Sequence, residues 1–97
     1  GVHGVDVNGG FASRDGVVIE ENTISFVGGA YTGGGASRYG NGIHGYGSVS
    51  EFTVRYNRLH ECYDAGISVH STVDNAVISN AYVYCNVVSN CEYGFEH

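Results

Sequence analysis

Three carboxylates, Asp64, Glu92 and Glu96, stand where a recurring pattern carries acids to matching places. Asp64 lies two residues before Gly66 and Glu92 two before Gly94, and each glycine leads an apolar residue, Ile67 and Phe95. If these segments stack as neighbouring parallel strands, their backbones lie about 4.8 Å apart. Like charges that close raise one of the two pKa values, which supplies the acid and the base of glycosidic cleavage. Carboxyl groups about 5 Å apart suit a retaining mechanism and about 6.5–9.5 Å an inverting one. Sequence does not choose between them, and two surface acids at a corner is the plainer alternative.

The same glycines set an origin for a binding face. Gly4-Val5, Gly42-Ile43, Gly66-Ile67 and Gly94-Phe95 align, so the apolar residue points in and the next one points out. Asp6, His44, Ser68 and Glu96 then form one exposed column, and two residues on come Asn8, Tyr46 and His70. Tyrosine and histidine rings stack on sugar rings while Asp, Asn and Ser bond hydroxyls, so the face suits an oligosaccharide or polysaccharide. Arg38, Asn41 and Tyr63 flank the glycines and complete the candidate substrate-binding set with His44, Tyr46, Ser68 and His70. An ordinary solvated sheet face is the alternative. The five histidines lack helical ligand spacing, and no metal or other cofactor is expected.

These residues need a scaffold that repeats, and a second set of columns describes it. Asn22, Asn57 and Asn86 sit in similar surroundings, IEENTISFV, VRYNRLHEC and VYCNVVSNC. Five places before each Asn stand Val17, Phe52 and Ala81, and three before stand Ile19, Val54 and Val83. Two places after stand Ile24, Leu59 and Val88, and five after stand Val27, Cys62 and Cys91. Every column is apolar. Short strands joined by tight bends and stacked in parallel satisfy the pattern, with the asparagines turned inward as a hydrogen-bonded ladder. Loops are inserted at fixed corners, the largest being GGAYTGGGASRYG from Gly28 to Gly40.

Composition agrees with an all-β chain. There are 16 glycines, no proline, and 42% hydrophobic residues among 97, enough for one domain spanning 1–97 or a fragment of a longer one. Ten acidic residues against four arginines give a net charge of -6, which repels nucleic acid and anionic membrane, so neither is expected as a partner. No apolar run approaches the roughly 18 residues of a membrane span. Cys62, Cys85 and Cys91 are odd in number and lack metal-ligand spacing, so they read as free thiols. Cys62 and Cys91 share an inward column. Their backbones permit a disulfide, but stacked parallel side chains rarely reach its torsion. The compartment is left open.

The alternation, the Asn-containing bend and the glycine-led strand resemble the right-handed parallel β-helices of the pectin-lyase-like superfamily. RYGNGI, YDAGI and CEYGFE, at 38–43, 63–67 and 91–96, are similar to segments of uncharacterised β-helix repeat proteins. The resemblance implies a solenoid of three to four rungs and a surface that is carbohydrate-binding or carbohydrate-active. It extends equally to catalytically silent fibres, so a structural or assembly module is the alternative. A lyase of this kind uses a basic residue beside the substrate carboxylate, and Arg38 is the arginine near the candidate face. A short β-helix exposes apolar core at its ends, and association of two copies end to end is expected.

Overall fold

The structure is a computed structural model that describes residues 3–9, 14–29 and 39–97. In chain order the strands are β1 (Val5–Asn8), β2 (Arg14–Asp15), β3 (Val18–Glu20), β4 (Thr23–Val27) and β5 (Ile43–Tyr46). There follow β6 (Val49–Arg55), β7 (Arg58–Cys62), β8 (Ala65–His70), β9 (Ile78–Tyr84), β10 (Val87–Ser89) and β11 (Tyr93–Glu96). The described residues contain no helix. All strand pairs are parallel and fall into three sheets. One has the order β1-β5-β8-β11, a second β4-β7-β10, and in the third β2 and β3 follow end to end along β6, which also pairs with β9. Each pass of the chain thus contributes one strand, or one interrupted strand, to each sheet.

Register follows the apolar columns. Val54 pairs with Ile19 on one side and Val83 on the other, Leu59 likewise with Ile24 and Val88, while Phe52 pairs with Ala81 and Val27 with Cys62. The second pass is covered on both sides, so Ile43, Phe52, Val54 and Leu59 are at most 1% exposed, and Ile67 of the third pass, between Ile43 and Phe95, is 2% exposed. Each such side chain removed from water stabilises the fold by about 1.5–3 kcal/mol. Val5, Val17 and Ile24 on one side, and Ile78, Val83 and Val88 on the other, pack against this core while half-buried.

Corners form at three columns of left-handed backbone. They hold Gly16, Glu51 and Asn80 (φ 73°, 48°, 50°), then Glu21, Tyr56 and Cys85 (59°, 57°, 54°), then Phe26, Glu61 and Asn90 (56°, 54°, 52°). A single residue in this region redirects the strand without a longer loop, at a cost of about 1 kcal/mol for a non-glycine. Side-chain bonds between layers offset part of that cost: Asn80 Nδ2 donates to Glu51 Oε1 at 2.6 Å, and Asn90 Nδ2 to Glu61 Oε1 at 2.8 Å. The residue at Glu51 also explains why β6 buries Val49, Phe52 and Val54 rather than strictly alternate positions.

The inward asparagines bond as a ladder. Asn57 Oδ1 accepts from Asn22 N and Nδ2 at 3.1 and 3.0 Å, and Asn86 Oδ1 accepts from Asn57 N and Nδ2 at 3.0 Å each. Asn57 Nδ2 also lies 3.0 Å from the carbonyls of Ile19 and Arg55. The long insertion leaves and returns at one point, where Gly29 N–H donates to Tyr39 O at 3.1 Å. Most of it, with Arg38, lies outside the described residues.

Candidate functional site

The glycine-led sheet carries the candidate site. Pairing sets Asp6 beside His44, His44 beside Ser68, and Ser68 beside Glu96, while Asn8, Tyr46 and His70 align two residues further on. Gly4 and Gly42 ahead of them are needed because the layers close tightly here. A Cβ on Gly42 would meet the Gly66 carbonyl and Leu59 Cδ2 at 2.6 Å each.

Over these columns runs a groove of about 480 Å³, within the size range of small-ligand sites, lined by His3, Tyr39, Asn41, His44, Tyr46, Asp64, His70, Thr72 and Glu96. Its rings form a contiguous set. His3 stacks on His44 with centroids 4.2 Å apart, His44 lies 5.3 Å from Tyr46, and His70 lies 5.8 Å from each of His44 and Tyr46. The Tyr46 hydroxyl is hydrogen-bonded to Thr72 Oγ1.

Carboxylates orient two of the imidazoles. His44 Nδ1 is 3.0 Å from Asp6 Oδ1, so the neutral ring carries its proton on Nδ1 and leaves Nε2 as a base. Ser68 Oγ donates to Glu96 Oε2 at 2.8 Å and accepts from His70 Nδ1 at 2.7 Å, and Glu96 Oε2 is itself 3.4 Å from that nitrogen. His3 is the opposite tautomer, because its Nδ1 accepts the Asn41 N–H at 3.2 Å. The Ser68, His70 and Glu96 cluster is not a hydrolytic triad. Both partners bear on one imidazole nitrogen, whereas a triad bridges acid and serine through two, and Ser68 is fully buried.

Two groups have displaced proton affinities. Burial, and then the charge of Glu96, push the Asp64 carboxyl up, while His3, His70 and His44 pull it back. Burial, followed by the charge of His44, lowers His3, against smaller opposite effects of Asp6 and Asp64. A carboxyl raised by burial and by a neighbouring carboxylate is of the kind that general acid and base work uses. Among the described residues no group of three or more His, Cys, Asp or Glu is arranged to hold a metal ion.

The acid pair in the groove is Asp64 with Glu96. Glu92 is the backbone neighbour that its spacing suggests, its N–H donating to Asp64 O at 2.9 Å, but its side chain is exposed and does not line the groove. Tyr63 lies elsewhere, in a separate depression with Phe26 and Glu61. His44 and Ser68 belong to the outward column yet are 8% and 0% exposed, because groove residues cover them. Asn41 is buried, and its Oδ1 accepts from Ala65 N–H at 2.9 Å. Sequence reasoning missed His3, Tyr39 and Thr72. His3 precedes Gly4 as Asn41 precedes Gly42, so extending the glycine columns back one residue finds it.

Fold and site together define an all-β domain of parallel sheets bearing a ring- and carboxylate-lined groove. Comparison with known protein families finds no match, and comparisons with curated proteins and with solved structures find none either.

Proposed function

We propose that the chain is part of a right-handed parallel β-helix of the pectin-lyase-like type and that its groove binds an oligosaccharide. The observation that carries this reading is the run of His3, His44, Tyr46 and His70 rings beside Asp6, Asp64 and Glu96 along a single sheet. Rings supply faces for sugar C–H groups, and the carboxylates and imidazoles supply hydroxyl partners. Where the ligand is also cleaved, Asp64 serves as the acid and Glu96 as the base. A glycan array with neutral and acidic oligosaccharides tests the reading. Binding that Tyr46→Ala and His70→Ala weaken supports it, and silence across the array refutes it.

A second reading, a non-catalytic module that associates through its ends, is favoured by the last layer, where Phe95 is 49% exposed beside half-buried Val83 and Val88. Light scattering across a dilution series separates the two. Dimers whose melting temperature rises with concentration support association, and a concentration-independent monomer removes it.

A further inference from the structure

Cys62 and Cys91 take no part in the groove, yet the fold sets them against each other. Cys62 closes β7 and Cys91 follows β10 by two residues. The pairing of Leu59 with Val88 and His60 with Ser89 carries forward to place Cys91 over Cys62, at the 29-residue offset that the Asn90–Glu61 bond also keeps. Each thiol lies two residues past the carbonyl it bonds in its own layer, Cys62 Sγ 3.9 Å from His60 O and Cys91 Sγ 3.3 Å from Ser89 O, so both side chains start from the same local arrangement. Both cysteines are free, Cys62 buried and Cys91 half-buried, while Cys85 is exposed.

The torsional objection to a disulfide between stacked residues applies inside a ladder, where pairing holds the Cβ vectors parallel. Between β7 and β10 the ladder has ended, although Cys62 still pairs with Val27 on its other side. The last paired residue of β10 is Ser89, and each cysteine follows a left-handed residue, Glu61 or Asn90, at a corner. Neighbouring parallel strands stand about 4.8 Å apart, inside the roughly 4.4–6.8 Å between Cα atoms that disulfides take. A surface depression lined by Phe26, Glu61, Cys62 and Asn90 opens beside the pair.

We propose that Cys62 and Cys91 are a reversible redox pair, which mild oxidation joins in a disulfide that staples the third pass of the chain to the second. With glutathione disulfide as oxidant, the Cys91 thiolate attacks one glutathione sulfur and expels the other glutathione as a thiolate. Cys62 then loses its proton and attacks the Cys91 sulfur of the mixed disulfide, expelling the second glutathione. The two electrons given up by the protein thiols reduce one glutathione disulfide, and the two protons lost by the protein pass to two glutathione molecules. Burial, the largest influence on the Cys62 thiol, holds its proton affinity up in the mixed disulfide too, so this second step is slow.

The test uses Cys85→Asn, which removes the competing exposed thiol and keeps a residue that tolerates φ 54°. The folded protein is incubated with glutathione disulfide and followed by intact mass, thiol titration and melting temperature. The expected result is the loss of two hydrogen atoms and of both thiols, a melting temperature higher by roughly 5–15 °C, and reversal by dithiothreitol. Adding Cys91→Ser should abolish all three. Two thiols still titratable in the folded protein, glutathione adducts that never resolve, or a bridge that forms only in denaturant would overturn the proposal.

Discussion

Asn86 holds Asn57 by two bonds at once: its Oδ1 accepts from both the backbone N–H and the side-chain Nδ2 of Asn57, each at 3.0 Å. Asn57 does the same for Asn22, and is 1% exposed. Replacing it with alanine takes the side-chain partner from the buried Ile19 carbonyl and from the part-buried Asn22 N–H. Asn57→Ala should therefore cost about 3 kcal/mol, against about 1 kcal/mol for the exposed Asn22→Ala. Urea unfolding measures both, and equal costs would show that the ladder has no energetic centre.

The glycine column predicts a contrast between two identical substitutions. A Cβ at Gly42 meets the Gly66 carbonyl and Leu59 at 2.6 Å, whereas one at Gly94 meets nothing within 4 Å. Gly42→Ala is expected to lower stability by about 2 kcal/mol or more through overpacking. Gly94→Ala should leave the melting temperature within a degree or two. Similar effects at the two sites would mean that the layers are not spaced as described.

Asp64 gives a pH dependence with a definite sign. Its folded carboxyl, raised by burial and by Glu96, keeps its proton to a higher pH than in the unfolded chain. Its contribution therefore falls as pH rises from the ordinary value of 3.8 through the folded one, and stays at the lower level above. Asp64→Asn should raise the melting temperature at pH 7 relative to the parent and lose that advantage near pH 3. A difference that does not change with pH would show that neither burial nor Glu96 raises the folded carboxyl.

Ring stacking predicts how ligand affinity divides. Tyr46 touches His44 and His70 by ring contact and is half-exposed, so its removal strips a stacking face without opening the core. Tyr46→Ala should weaken a bound oligosaccharide about tenfold, or about 1.4 kcal/mol. Calorimetric titration reads this directly, and Tyr46→Phe should retain most of the affinity. Loss of binding in Tyr46→Phe equal to that in Tyr46→Ala would assign the effect to the hydroxyl bonded to Thr72 instead.

Much of the layering was legible because the asparagines and glycines mark corresponding places in successive passes, whatever the loop lengths between them. Counting from Asn22, Asn57 and Asn86 yields the observed pairs Ile19–Val54–Val83 and Ile24–Leu59–Val88, and counting from the glycines yields Asp6–His44–Ser68–Glu96. What stayed hidden depends on conformation rather than spacing. Nothing in the residue type marks Glu51 or Phe26 as left-handed, so the shift of phase within β6 could not be read. Outward pointing was equated with exposure, although His44 and Ser68 are covered by their own neighbours. Glu92 shared the right backbone neighbour with Asp64, but only Glu96 reaches the groove.

The two outward columns of the glycine-led sheet act as a tape on which each layer writes a pair of characters: Asp6 and Asn8, His44 and Tyr46, Ser68 and His70. The characters advance by about 4.8 Å per layer, and their backbones are fixed by pairing rather than by one another. Only part of the tape is open to the outside: Asn8, Tyr46 and His70 keep exposed surface, while His44 and Ser68 lie under their neighbours. Changing an open character alters one place on the face, changing a covered one disturbs the layer beside it, and a longer tape needs only another layer in register.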